Sequence, residues 1–161
     1  MPEMTLLGWF HTILGILAVL SGFYTLYKYR VISAAESSGR LYLLVTLLVA
    51  GSALGIYNQG GFGVAHVLAV LTLIALAGGY IMERFKWFGS FSKYFQALGY
   101  TSTLLFHMIP AITDFLRRLP VGDPFIDSFE DPLLLNFHTA FLFIYLVGLI
   151  TQMIWLKRQS A

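Results

Sequence analysis

Five apolar stretches, each ended by charges or by glycine and proline, constrain this chain more than any other feature. They run from about Met4 to Tyr27, Leu41 to Tyr57, Phe62 to Met82, Tyr94 to Phe115 and Leu133 to Leu156. An α-helix rises about 1.5 Å per residue, so roughly 20 residues cross the ~30 Å hydrocarbon core of a bilayer. No stretch alternates apolar and polar residues as a half-buried strand does, and lipid requires backbone groups to be satisfied within the segment. The expected fold is all-α: one integral membrane bundle of about five transmembrane helices, with residues 119–132 as a loop before the last.

Composition supports that reading. Only 11% of residues are charged and 58% are hydrophobic, with a mean hydropathy of +0.76. A soluble domain carries about 25% charged residues, so there is too little charge here to cover a water-facing surface. The chain has no cysteine, which removes disulfides, thiolate metal sites and iron–sulfur clusters. No basic run is interleaved with aromatics as a nucleic-acid surface would be. No Lys or Arg precedes Lys28; the first stretch lacks the basic start of a signal peptide and reads as a retained helix.

The charges separate by side. Lys28, Arg30, Arg40, Arg84, Lys86, Lys93, Lys157 and Arg158 fall on one face of the implied membrane, and only Arg117 and Arg118 on the other. The positive-inside bias then predicts a cytoplasmic-membrane protein with its N-terminus outside and its C-terminus in the cytoplasm. The acids run the other way, with only Glu36 and Glu83 inside. Trp9, Tyr57, Trp87, Tyr94 and Trp155 lie near helix ends and read as interface anchors. The outer loop, LPVGDPFIDSFEDP, reads as a connection whose apolar residues rest in the interface, or as a lid over an embedded site.

All four histidines lie inside expected helices. Counted from the helix ends, His11, His66, His107 and His138 fall roughly 8–12 Å below the outer boundary. Gln96, Tyr100, Thr103, His107 and Asp114 form a polar stripe on the fourth helix. His138, Tyr145 and Gln152 form one on the fifth, and Gly8, His11, Gly15, Ala18 and Gly22 a small-residue stripe on the first. Polar stripes are costly against lipid and should face inward; small ones allow close helix approach or leave room for a flat cofactor. Asp114 is spaced to pair with Arg117 or Arg118.

Three chemistries fit such a layer. A b-type haem takes two axial imidazoles from facing helices. A zinc or copper ion takes three or four imidazoles with nearby acceptors. A quinone or proton-handling site uses His and Tyr with an acid as relay. Asp114, Tyr100, Thr103 and Tyr145 are the candidate supporting residues. Pro110 removes the bond to the carbonyl of Phe106, next to His107, and predicts a bend there.

Residues 8–80 resemble a bacterial family of small predicted multi-helix membrane proteins of unknown function. The matching features are HTILGILAVLSGF (His11 to Phe23), the Gly-Arg-Leu-Tyr opening of the second helix (Gly39 to Tyr42) and GGFGVAHVLAVLTL (Gly60 to Leu73). That group is expected to carry a histidine shortly before the Gly-Arg pair, where this chain has Glu36, Ser37 and Ser38. The resemblance implies a small membrane bundle and no particular activity.

The leading functional expectation is therefore a membrane cofactor protein, with haem b held for electron transfer by His11, His66, His107 or His138. The alternatives are a zinc- or copper-dependent membrane enzyme using the same residues, and a cofactor-free structural subunit or carrier of a lipid-like molecule. Expected partners are the bilayer, a membrane redox partner or quinone, and other subunits of an oligomer or complex.

Overall fold

The structure, a computed structural model, describes residues 5–57 and 61–159. The Asn58-Gln59-Gly60 turn, Glu3 and the chain ends lie outside the described residues. Five helices follow in order: α1 (Leu6–Tyr29), α2 (Ser37–Ala53), α3 (Val64–Phe85), α4 (Ser92–Arg118) and α5 (Pro132–Arg158), with one 3-10 turn (Gly89–Phe91) before α4. There is no strand among the described residues. The protein is an all-α membrane bundle.

Helices α1, α3 and α5 are long and apolar enough to cross a membrane. Helix α2 has 17 residues, about 25 Å of rise. It begins four residues earlier than its apolar run, because Ser37 to Arg40 form its first turn after the Glu36 cap. Helix α4 is longer than its apolar run, since Arg117 and Arg118 complete its last turn. It is also unbroken across Pro110.

Consecutive helices run antiparallel. At one end the α1–α2 turn is tied to three other helices. Glu83 of α3 accepts hydrogen bonds from Ser33 Oγ (2.5 Å), the Ala34 amide (2.8 Å) and Tyr100 Oη (2.8 Å). Gln96 of α4 donates to the Ile32 carbonyl at 3.0 Å, and Gln152 of α5 to the Arg30 carbonyl at 2.8 Å. Arg30 ends α1 in the left-handed region (φ 67°), so these carbonyls leave the helix and need donors. Thr25 gives its proton to the Ser21 carbonyl and takes one from Ser38 Oγ, 2.9 Å away, closing the α1–α2 hairpin.

Between α3 and α4 the backbones meet. A Cβ on Gly99 would lie 2.8 Å from the Ala75 carbonyl oxygen and 3.2 Å from the Gly79 Cα, and one on Gly79 would lie 2.5 Å from the Tyr100 ring. Small residues permit this approach, which packing in a membrane requires because lipid tails are as apolar as leucine. The core formed here includes Ala18, Tyr42, Val45, Leu76, Tyr100 and Leu104.

Helix α5 docks on α4 and otherwise exposes its apolar surface. Its polar stripe supplies the contacts. Gln152 Oε1 accepts from Thr101 at 2.9 Å, Tyr145 Oη pairs with Ser102 at 2.8 Å, and His138 Nε2 lies 3.3 Å from Thr113 Oγ1. The seven-residue spacing keeps all three on one face, and polar bonds substitute for the missing hydrophobic drive between helices in lipid.

Candidate functional site

At the other end of the bundle the helices part. A cavity of about 1220 Å³ is lined by α1, α2, α3, α4 and the segment after α4. Its wall is mostly aliphatic, from Ile16 and Val19 to Leu68 and Ala111. Gly15 faces it: a Cβ built there meets nothing within 4 Å. Gly22, seven residues on, sits instead against Leu104 and Tyr42 at 2.8 Å. The small stripe of α1 therefore divides, its end-facing part bordering the cavity and its deeper part a helix contact.

Two histidines line this cavity, His11 and His107. Helix α2 holds both. His11 Nδ1 is 3.1 Å from Ser52 Oγ, and Ser52 gives its own proton to the Val49 carbonyl at 3.0 Å. Nδ1 of His11 is then the donor, and Nε2 keeps its lone pair. His107 Nε2 is 3.1 Å from Thr46 Oγ1 and its ring meets Tyr42 edge-on. Tyr42 Oη in turn donates to Thr103 Oγ1 at 2.5 Å, because Thr103 spends its proton on the Tyr100 carbonyl. Each cavity imidazole is thus anchored on a hydroxyl of α2. Thr46 and Ser52 are six residues apart on one helix, so the two anchoring points differ in height by about 9 Å.

The other two histidines serve their own elements. His66 is buried and accepts the Gly63 amide on Nδ1 at 3.1 Å, capping α3. Its ring lies between Tyr57 and Phe62, with centroids 4.7 and 5.1 Å away. His138 faces Thr113 in the α4–α5 contact. Each of the four has its own hydrogen-bond partner, and among the described residues no three His, Cys, Asp or Glu side chains group as a metal site. Of the candidate supporting residues, Tyr100 binds Glu83 at the opposite end, Thr103 sits under Tyr42, and Tyr145 joins α5 to α4. Asp114 alone lines the cavity. The sequence pattern marks Tyr42 only within the Gly39 to Tyr42 motif and does not mark Thr46 or Ser52; hydroxyls inside an apolar helix are the available signal.

Charge gathers where the cavity ends. Asp114, Arg117, Arg118 and Asp127 line it there. Arg118 Nε is 3.7 Å from Asp114 Oδ1, the i,i+4 pairing that the spacing predicts. The segment after α4 folds back over this region. The Ile126 amide donates to the Leu116 carbonyl and the Phe125 amide to the Leu119 carbonyl. Ile126 itself is buried with Leu116 and Leu134, which pegs the segment between α4 and α5. Leu119, Val121, Gly122 and Pro124 complete the cavity wall.

No family model, no curated protein and no solved structure matches the chain. At the opening of α2, a Cβ at Gly39 would run into the Ser33 carbonyl oxygen, and Tyr42 is a fully buried core residue.

Proposed function

We propose that this protein binds one amphiphilic molecule inside the membrane, its tail in the α1–α4 cavity and its polar part near His11, His107 and the α4 end. The observation that carries this is the pairing of a 1220 Å³ aliphatic cavity with ionisable residues gathered at its end. Ligand pockets are typically about 300–1,000 Å³ and mostly apolar with a few placed polar groups. The volume suits a chain-bearing molecule better than a metal ion. The charge asymmetry supports an N-terminus outside and a C-terminus in the cytoplasm of the inner membrane, so that the cavity faces the outer leaflet. A periplasm-only reporter fused after Ala161 tests this and should stay silent.

The binding test uses two glycines. Gly15 faces the cavity, whereas Gly148 faces outward on α5, and a Cβ on either meets nothing within 4 Å. Native mass spectrometry of protein extracted from membranes should show one bound amphiphile per chain in the wild type and in Gly148→Leu. Gly15→Leu should lose it. Full retention in Gly15→Leu overturns the reading.

A second reading is favoured by the two imidazoles that share this cavity: a haem b carried between His11 and His107. A red preparation whose Soret band vanishes in both His11→Ala and His107→Ala selects it. A colourless preparation with bound amphiphile selects the first.

A further inference from the structure

We infer that the molecule in the cavity is anionic, a lipid whose phosphate head is received by Arg117. This rests on the amphiphile reading and adds the chemistry of the head. The argument begins with the guanidinium. Arg117 and Arg118 both line the cavity, and the Nε atom of each is buried without a hydrogen-bond partner. Buried N–H groups are nearly always paired in native proteins, so these two lack an acceptor. Their positive charges are not equivalent. Arg118 has Asp114 beside it, whereas Arg117 has no carboxylate within ion-pair distance among the described residues. Arg117 instead sits over Phe129, its guanidinium carbon 3.8 Å from the ring centroid.

That contact holds the guanidinium over the ring and leaves its Nε–H without an acceptor. A π face attracts the cation but accepts none of the in-plane N–H bonds. The edge of arginine is a planar fork that matches two oxygens of a phosphate or carboxylate. Phe129 is held in the segment that Ile126 pegs to the bundle, so the receptor is built from two elements and not from one flexible side chain. Around it, the carbonyls of Phe115 and Leu116 already accept from the Leu119 and Ile126 amides. A guanidinium in need of an oxyanion at the end of an aliphatic cavity fits a lipid with a charged head. Asp114 and Asp127, also at this end, disfavour a second negative charge beyond the one site.

The experiment compares two lipids that differ only in the phosphate: dioleoyl phosphatidic acid and dioleoylglycerol, each titrated into delipidated full-length protein and read by native mass spectrometry. The phosphatidic acid should bind one per chain and at least about tenfold more tightly. Arg117→Gln should bring the two lipids within about twofold of each other, and Arg117→Lys, which keeps the charge without the fork, should fall between. Arg118→Gln should have the smaller effect, because its charge already has a partner. Gly15→Leu should abolish the tight binding, which separates the cavity site from lipids adsorbed on the surface. If both lipids bind equally in the wild type and both are lost in Gly15→Leu, the amphiphile reading stands and the phosphate assignment is overturned. If neither lipid responds to Gly15→Leu, both are overturned. Inorganic phosphate alone competing in an Arg117-dependent way, with no lipid bound, assigns the site to a soluble anion and overturns the lipid. Thermal melts of each variant, unchanged within a few degrees, keep misfolding out of the comparison.

Discussion

The two ends of this bundle use the same four helices in opposite ways. At the Glu83 end, a glycine-to-glycine approach of α3 and α4 and a carboxylate with three donors close the structure. At the Arg117 end, the same helices separate around 1220 Å³ of space, and the polar groups that border it keep free valences. Lipid supplies no hydrophobic drive between helices, so the stability of a small membrane bundle must come from close packing and internal hydrogen bonds. Both are concentrated at the first end. The second end is thereby released to hold something other than protein.

The comparison breaks most directly at Gly99. Its built Cβ meets the Ala75 carbonyl oxygen at 2.8 Å and the Gly79 backbone just beyond. These are backbone atoms and cannot rotate away. Gly99→Ala should force α3 from α4 and cost about 3 kcal/mol, at the upper end of overpacking effects. Unfolding in mixed micelles measures it. A melting point equal to that of the wild type would show that the closed end is not close-packed.

Glu83 comes next. Glu83→Ala strands the Ser33 hydroxyl, the Ala34 amide and the Tyr100 hydroxyl together, and should cost about 2 kcal/mol, since an unsatisfied buried donor costs about 1–3. Glu83→Gln retains one acceptor oxygen and should lose about half as much. Hydrogen exchange at Ala34 should accelerate in the Ala variant, while amides around the cavity stay unchanged. Equal acceleration at both ends would mean that the two halves unfold as one unit and that the contrast has no energetic content.

Much of this architecture was legible in the sequence because it depends on local pattern. Apolar length and charged ends mark five helices. The seven-residue repeat of His138, Tyr145 and Gln152 marks the face of α5 that meets α4, and the stripe from Gln96 to His107 marks the inward face of α4. Spacing also implies the Asp114–Arg118 pair. The site was less legible, because it depends on where helices diverge. A common depth for four histidines follows from counting residues, but their neighbours follow from helix rotation and pairing. Thr46 and Ser52 on α2 draw His11 and His107 to one cavity, while His66 turns back to its own N-cap. Arg117 and Arg118 look like a helix end until the following segment is seen folded over them. Glu83 looks like a charge at the membrane boundary until the turn at Ser33 is seen to need an acceptor.

The smallest effect is the sharpest test, because it uses one helix and one substitution. Gly15 and Gly22 lie seven residues apart on α1 and therefore on nearly the same face. Replacing either by alanine lowers the backbone entropy lost on folding and favours the helix by about 0.5–1 kcal/mol. At Gly15 nothing opposes that gain, because the new methyl enters open cavity. Gly15→Ala should stabilise the protein by up to that amount. At Gly22 the methyl arrives 2.8 Å from both Leu104 Cδ2 and the Tyr42 ring. The leucine terminus can rotate, but Tyr42 is fully buried and its hydroxyl is fixed on Thr103. Overpacking of about 1–3 kcal/mol then exceeds the helix gain, and Gly22→Ala should destabilise by about 1 kcal/mol. Matched unfolding curves in the same micelle measure the difference, which is independent of the lipid reference state. Opposite signs place the boundary between the closed and open halves within two turns of α1. Losses at both positions would mean that the cavity wall closes up beside Gly15 in the membrane, and gains at both that the Tyr42 contact yields at Gly22; either removes the contrast.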